Sequence, residues 1–218
     1  MILYFYGMNE WRLIIENLLN NTLPGENSHR QMLPPERDLK IPNSDQIKIL
    51  ESGVLLLVIP SENELYTCLI KRPGHMKIHA GQIGFPGGRQ EPKDLSPQET
   101  AIRETYEEIG IDPGSIQVIG PLTPLYVSVS NYRIHPFVAW AAPRPSFTLN
   151  PDEVEKLMFF PLLAHLMEQN REFRTLDTFS GKLKAPGIAF EEEFIWGATA
   201  MILCEFLDIL ARHFPTRE

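Results

Sequence analysis

Between Ser96 and Gly110 the chain spells out a helix with both ends marked, and this element constrains the rest of the fold more than any other segment. Ser96 suits the N-cap, Pro97 fits the first helical position, where its missing N–H costs nothing, and Glu99 completes a capping box. Gly110 supplies the left-handed residue that ends a helix, with Pro113 just beyond. The helix so bounded is about 13 residues long. At about 100° per residue, Ile102, Thr105, Tyr106 and Ile109 share one face, with Ala101 at its margin. Glu104, Glu107 and Glu108, spaced i, i+3 and i+4, fall on the opposite side. Three carboxylates converging there repel one another, and Mg²⁺ or Mn²⁺, which take oxygen ligands, would offset that repulsion. Arg103 lies four residues before Glu107 and is placed to orient a carboxylate.

A solvated acidic face is the ordinary meaning of such a cluster. The context argues for chemistry instead. Phe85-Pro86-Gly87-Gly88 sets flexible backbone shortly before the helix, where main-chain groups can approach a metal or phosphate with no Cβ in the way.

The run GVLLLVIP (53–60) has the branched apolar character of a buried strand, and LYTCLIKR (65–72) reads as its partner across a turn at ENE. IQVIGPL and RIHPFVAWAA read as further strands. Residues 9–21 carry Trp11, Leu13, Ile14, Ile15, Leu18 and Leu19 at helical spacing, which predicts an amphipathic helix packed on another element. Residues 22–46, rich in Pro, Asn, Ser and mixed charge, are long for a structureless loop, so they are a mobile lead-in or a functional loop. From Glu193 to Phe214 a broad apolar face predicts a C-terminal helix. Strands interleaved with two or three helices imply an α/β chain with a mixed sheet between helices. The expected organisation is an N-terminal helix and loop extension, residues 1–46, followed by one main domain, residues 47–218.

With 28 acidic against 20 basic residues, no global positive field draws the chain to nucleic acid or to anionic membranes. No uninterrupted run of about 18 to 20 apolar residues occurs, and the N-terminal apolar stretch lacks a basic n-region and a small-residue cleavage site. A cytoplasmic protein is expected. Cys68 and Cys204 lie in apolar runs without metal-ligand spacing, which predicts buried reduced thiols.

Several residues carry two readings. His75 and His79 are four apart, as in a metal pair on a helix, yet Gly74 and Gly81 bracket them in a loop, which argues against a zinc site. Arg72 and Lys77 either meet substrate phosphates or are surface charge. Phe85 is packing in a strand or a substrate platform. Tyr126 and Tyr132 flank a loop that either stacks a base or lines a channel, or else packs the rim. Glu191, Glu192 and Glu193 read as a solvated helix start.

The segment Arg103-Glu104-Thr105-Tyr106-Glu107-Glu108-Ile109-Gly110-Ile111 resembles the second half of the Nudix hydrolase box, G-x5-E-x7-R-E-U-x-E-E-x-G-U with U apolar, with Thr105 in place of the first apolar position. Counted from Gly88, the acidic position is Asp94, and eight residues rather than seven separate it from Arg103. That longer box resembles the coenzyme A pyrophosphatase-like branch of the family, as does an upstream pattern L-L-T-x-R-[SA]-x3-R-x3-G-x3-F-P-G-G. Leu69, Arg72, Gly81 and Phe85 to Gly88 stand in register with it, whereas Cys68, Ile70, Pro73 and Lys77 depart from it. PLYVSVSNYRIHPFVAW, NPDEVEKLMFFPL and IWGATAMIL also resemble that branch.

The resemblance implies an α/β/α sandwich with a mixed β-sheet and a metal-dependent attack of water on a nucleoside diphosphate linked to another group. For coenzyme A or acyl-CoA, the products would be adenosine 3′,5′-bisphosphate and (acyl-)4′-phosphopantetheine. Carried over by position, Glu104 and Glu108 are the first metal ligands, Glu107 a third, and Arg103 orients them. A backbone carbonyl at Gly87 or Gly88 would complete the metal shell. Glu153, outside the box, is the candidate general base. Arg72, Lys77, Gly81, Phe85, Gly87, Gly88 and Tyr126 would face the substrate, a small CoA-like nucleotide. A homodimer is compatible with this reading. Hydrolysis of another nucleoside diphosphate such as ADP-ribose is the nearest alternative. A non-catalytic nucleotide binder stands further off, because all three box glutamates remain.

Overall fold

The apolar run that begins at Gly53 forms the middle of strand β1 (Leu50–Ser61), and its alternation decides how the two halves of the molecule are built. Leu55, Leu57 and Ile59 enter one hydrophobic cluster, and Leu56 and Val58 enter the other. All five are essentially inaccessible to water, so β1 is a central strand covered on both faces, which is why its sequence is continuously apolar. A computed structural model describes residues 8–41, 48–75, 80–167, 171–178 and 181–213.

After a tight turn, β1 pairs antiparallel with β2 (Glu64–Lys71), with Ser61 opposite Glu64. Two short strands follow, β3 (Ile83–Gly84) on β2 and β4 (Gly87–Arg89) on β1, where a glycine-rich loop was expected. Helix α3 (Pro97–Ile109) comes next, then a single 3₁₀ turn, Pro113–Ser115. Strands β5 (Gln117–Pro121) and β6 (Leu125–Val127) both pair with β7 (Tyr132–Trp140), which runs parallel to β1. Strand β8 (Lys156–Pro161) closes on β2 and leads into the short helix α4 (Leu162–Met167). The eight-stranded sheet is therefore mixed. A separate antiparallel sheet contains β9 (Arg171–Thr178), β10 (Gly181–Phe190) and β11 (Glu193–Trp196), and helix α5 (Gly197–Ala211) ends the described chain.

Helix α3 covers one face of the large sheet, and α5 with the N-terminal helices α1 (Met8–Leu19) and α2 (Glu26–Arg30) covers the other, giving an α/β/α sandwich. Trp11, Ile15, Leu19 and Met32 are buried in the same cluster as α5, so the extension shares the core of the main domain. Each such side chain contributes roughly 1.5 to 3 kcal/mol on burial. No helix among the described residues is long and apolar enough to cross a membrane. Cys68 and Cys204 are free and buried, and desolvation pushes the two thiols up to about 12 and about 11.

Two readings of the C-terminal region change. Glu193–Trp196 is a strand paired with β10, and the helix starts only at Gly197, whose φ of 63° breaks the strand. The run Glu191 to Glu193 is accordingly a turn and strand start, not a helix start, and Glu193 accepts a hydrogen bond from Lys71 at 2.8 Å.

The segment from Thr22 to Leu39 contains α2 and is tied to α5 by polar contacts. The carboxylate of Glu205, fully buried, accepts from Gly25 N at 3.2 Å, from Thr123 N at 3.2 Å and from His29 Nε2 at 3.0 Å. Asp208 accepts from Ser28 Oγ at 2.5 Å and Gln31 Nε2 at 2.9 Å. Leucine at position 205 would strand three donors in the core, so Glu205→Leu is expected to cost about 3 kcal/mol of stability in urea unfolding. A loss within about 0.5 kcal/mol, the range of ordinary surface changes, would show that the clamp is dispensable.

Candidate active site

Helix α3 has the bounds its caps dictate. Ser96 Oγ accepts from Glu99 N at 3.2 Å, and Gly110 closes the helix at φ 70° with its N–H on Tyr106 O. Glu99 reaches back one residue further than a capping box requires, accepting from Leu95 N at 2.8 Å.

The face it buries differs from the expected one. Thr100, Ala101, Thr105, Glu108 and Ile109 point inward, whereas Tyr106 is 56% exposed. The three glutamates expected to share one face differ in their surroundings: Glu108 is 0% exposed, Glu104 is largely covered, and Glu107 faces water. Placing Ala101 rather than Tyr106 inward lets the helix lie close on β1 and turns Glu108 under β4.

Strand β4 meets the carboxylates directly. Gly87 N donates to Glu108 Oε2 at 2.9 Å. A Cβ on Gly88 would lie 2.5 Å from the Glu104 carboxyl carbon, so any side chain there would push that carboxylate out of its place. Glu153 arrives from the loop before β8. Thr148 N and Asn150 N donate to the last carbonyls of α3, Ile109 O and Glu108 O, both at 2.9 Å, and buried Val154 anchors the far side. As a result Glu104, Glu108 and Glu153 each offer an oxygen within 4.8 Å of the others. Glu107 is outside this group, held by Arg103 at 2.7 Å.

Arg103 is locked by Asp94. Its Nε and NH2 donate to the two carboxylate oxygens at 2.9 Å each, and its NH1 lies 2.8 Å from Glu104. The guanidinium holds the nearly buried Asp94 carboxyl far below the usual carboxylate range. Counting the box singles out Asp94 but does not reveal this grip.

On the opposite side, Arg72 NH1 lies 3.6 Å from Glu108 Oε1. That oxygen and Arg72 Nε are both buried without a hydrogen-bond partner among the described residues. Gly81, at φ 67°, donates its N–H to Arg72 O at 3.1 Å. Lys77 and His79 lie outside the described residues, and His75 is exposed. Phe85 is 5% exposed and belongs to the same core cluster as α5. Tyr126 is 4% exposed, donates to Asn131 Oδ1 at 2.8 Å and lines a small neighbouring cleft.

Burial pushes Glu108 up to about 8, and burial also raises Glu104. A carboxyl that ionises near 4.5 in the unfolded chain but near 8 in the folded one keeps its proton only in the native state between those values. Stability of the protein without divalent ions is therefore full below pH 4.5 as far as this group is concerned, and falls as pH rises toward 8. Melting curves in EDTA across that range would show the decline, and Glu108→Gln would flatten it. A wild-type melting temperature that climbs over the same window would contradict this account.

Three close carboxylates, one of them with an orphaned buried oxygen, suit a hard divalent cation, which would replace the missing partner and the retained proton. Comparison with known proteins bears on what such a centre serves. The NUDIX domain family matches residues 50–179. The chain belongs to the Nudix family of hydrolases. A Nudix hydrolase of Yersinia enterocolitica, named "Uncharacterized Nudix hydrolase NudL", is 35% identical over 153 residues, 69% of this chain and 77% of that one. Its namesake from Photorhabdus laumondii is 32% identical over 173 residues, 79% of this chain and 88% of that one. The crystal structure of a MutT/nudix family protein from Enterococcus faecalis shares the fold, with a TM-score of 0.51 at 16% identity over 95% of this chain and 76% of that one. As a Nudix enzyme the chain is a pyrophosphohydrolase.

Proposed function

We propose that the enzyme cleaves the diphosphate of coenzyme A or acyl-CoA, using Mg²⁺ or Mn²⁺ held by Glu104, Glu108 and Glu153. The observation that carries the site is the triad itself, with its unpaired Glu108 oxygen beside the Gly87-Gly88 turn. The substrate reading is supported by the longer box, by the upstream segment from Leu69 to Gly88, and by its resemblance to the coenzyme A pyrophosphatase-like branch.

When bound, the cations neutralise the anhydride oxygens and lower the pKa of the attacking water. Arg72, with a free buried Nε beside Glu108, donates to a phosphate oxygen and orients the diphosphate. Asp94 and Arg103 keep Glu104 in a single position, so its oxygens need no reorganisation during the reaction. Glu153, on a loop and with a carboxylate bonded to no other described residue, offers one oxygen to the cation centre and takes the proton of the water on the other, as the water oxygen attacks phosphorus. The P–O bond of the anhydride breaks, and the leaving phosphate departs with its electron pair. Glu107, exposed and paired with Arg103, has a supporting part only.

Purified protein with Mg²⁺ or Mn²⁺ should release adenosine 3′,5′-bisphosphate and 4′-phosphopantetheine from coenzyme A. Rapid turnover of ADP-ribose with none of coenzyme A would overturn the substrate reading while leaving the chemistry in place.

A further inference from the structure

The small antiparallel sheet ends on an open side. Among the described residues β9 pairs with β10 alone, and Arg171 to Thr175 are all exposed. An exposed edge strand is a template for a further strand, and chains commonly close it with charge or proline. Strand β9 carries charge, but its signs are ordered so as to match a second copy of itself.

The ladder shows which backbone groups of β9 are unused. Phe173 lies opposite Pro186, which has no N–H, so the two form a non-hydrogen-bonded pair. Alternation along the strand then turns the N–H and C=O of Arg171, Phe173, Thr175 and Asp177 away from β10, toward the open side. A second β9 related by a two-fold axis runs antiparallel to the first, and its own outward residues must face these for the bonds to form.

Charge selects among the registers that this allows. A two-fold through Glu172 or through Arg174 sets like charges directly opposite, and one through Thr175 sets Phe173 against Asp177. The two-fold through Phe173 sets each Glu172 against the partner's Arg174 and the two phenyl rings against each other. Within one chain Arg174 Nε already donates to Glu172 at 2.5 Å, with its guanidinium 4.7 Å from the centroid of the Phe194 ring. Pairing completes a ring of alternating signs on that face. On the other face Phe173, 58% exposed and with Lys184 Nζ 5.3 Å from its centroid, gains an aromatic cover. The geometry leaves room for the approach: Gly181, Lys182 and Lys184 of β10 are exposed, whereas Ala185 to Ile188 are buried, so the far end of the hairpin stands clear of the core. Antiparallel pairing puts the two bodies at opposite ends of the joined strands.

We propose that the chain forms a two-fold dimer in which two β9 strands pair about Phe173 and join the small sheets of two copies into one. A strand edge with one aromatic pair lies at the small end of specific interfaces, so the dissociation constant should be on the order of 10⁻⁵ M. Sedimentation velocity of the full chain from about 1 μM to about 1 mM, a range bracketing that value, should show reversible monomer and dimer. Arg174→Glu and Glu172→Arg should each weaken the dimer about tenfold, because each sets like charges opposite twice. An equal mixture of the two variants should restore it, since each then meets the opposite sign. In the wild type, hydrogen exchange at the N–H groups of Phe173 and Thr175 should slow as the dimer fills. A monomer at every concentration overturns the proposal, as does a dimer of wild-type strength in both variants. A mixture that stays monomeric although each variant keeps the wild-type melting temperature also overturns it. Should either variant fail to fold, the exchange measurement decides, and unchanged rates at Phe173 and Thr175 across the dimer transition overturn the assignment of this edge.

Discussion

Replacing Glu108 by glutamine is expected to lower kcat on the order of 10³-fold, the scale of removing a preorganised charge from a water-excluded site. The fold should survive the change. Glutamine has the same shape, its carbonyl oxygen can keep the bond from Gly87 N, and the variant no longer carries a carboxyl that burial disfavours. Without divalent ions above pH 8, where the wild-type carboxylate must be charged inside the core, the variant should melt at or above the wild-type temperature. The two effects together separate a functional carboxylate from a structural one: a structural group would lose stability along with activity. Activity within about tenfold of wild type, a barrier change of only about 1.4 kcal/mol, would remove Glu108 from the centre of the mechanism.

Gly53→Ala should do the reverse, damaging the fold before the chemistry. The N-terminal turn of α3 sits directly on β1 at this residue, and an added Cβ would lie 1.9 Å from Pro97 O and 2.9 Å from Ala101 N. Both are backbone atoms of a capped helix, so no side chain can swing aside to relieve the clash. Separation of helix and sheet is the only relief, and the loss should reach roughly 4 kcal/mol, the range reserved for core overpacking with backbone displacement. Urea unfolding, or failure to obtain soluble protein, would report it. A loss of about 1 kcal/mol or less, typical of a tolerated change, would mean that α3 is free to shift on β1.

Gly53 also shows where sequence reasoning stops. Its place at the head of an apolar run marks the start of a strand, but nothing local says that a helix 44 residues on will rest against it. The ends of α3 were legible because caps are local: Ser96, Pro97 and Gly110 satisfy or omit hydrogen bonds within one turn. Its orientation was not legible. Hydrophobic periodicity groups Tyr106 with Ile102 and Ile109 on one face and sets Glu108 on the opposite side. In the folded chain a charge-bearing side chain is buried against β4, and an aromatic one is left exposed. That inversion is what a binding site costs in stability, and it falls where local rules and function disagree. Glu153 stands out in the sequence only through the family resemblance, and the bonds of Thr148 and Asn150 to the end of α3 explain how it reaches Glu104 and Glu108. Glu107, ranked third in the motif, faces out and pairs with Arg103. The link between α2 and α5 was invisible for the opposite reason. It joins residues about 180 positions apart through the carboxylates of Glu205 and Asp208, and a segment rich in Pro and Asn gives no periodic signal of such an anchor.

The central claim is that Glu104, Glu108 and Glu153 form a divalent-cation centre whose buried member holds a proton until the ion arrives. Calorimetric titration of Mn²⁺ into the protein at pH 7, repeated in buffers of different ionisation enthalpy, measures both affinity and protons released. The account predicts saturable binding with close to one proton expelled, and loss of that proton release in Glu108→Gln. Binding with no proton release, or with the same release in the variant, would contradict it.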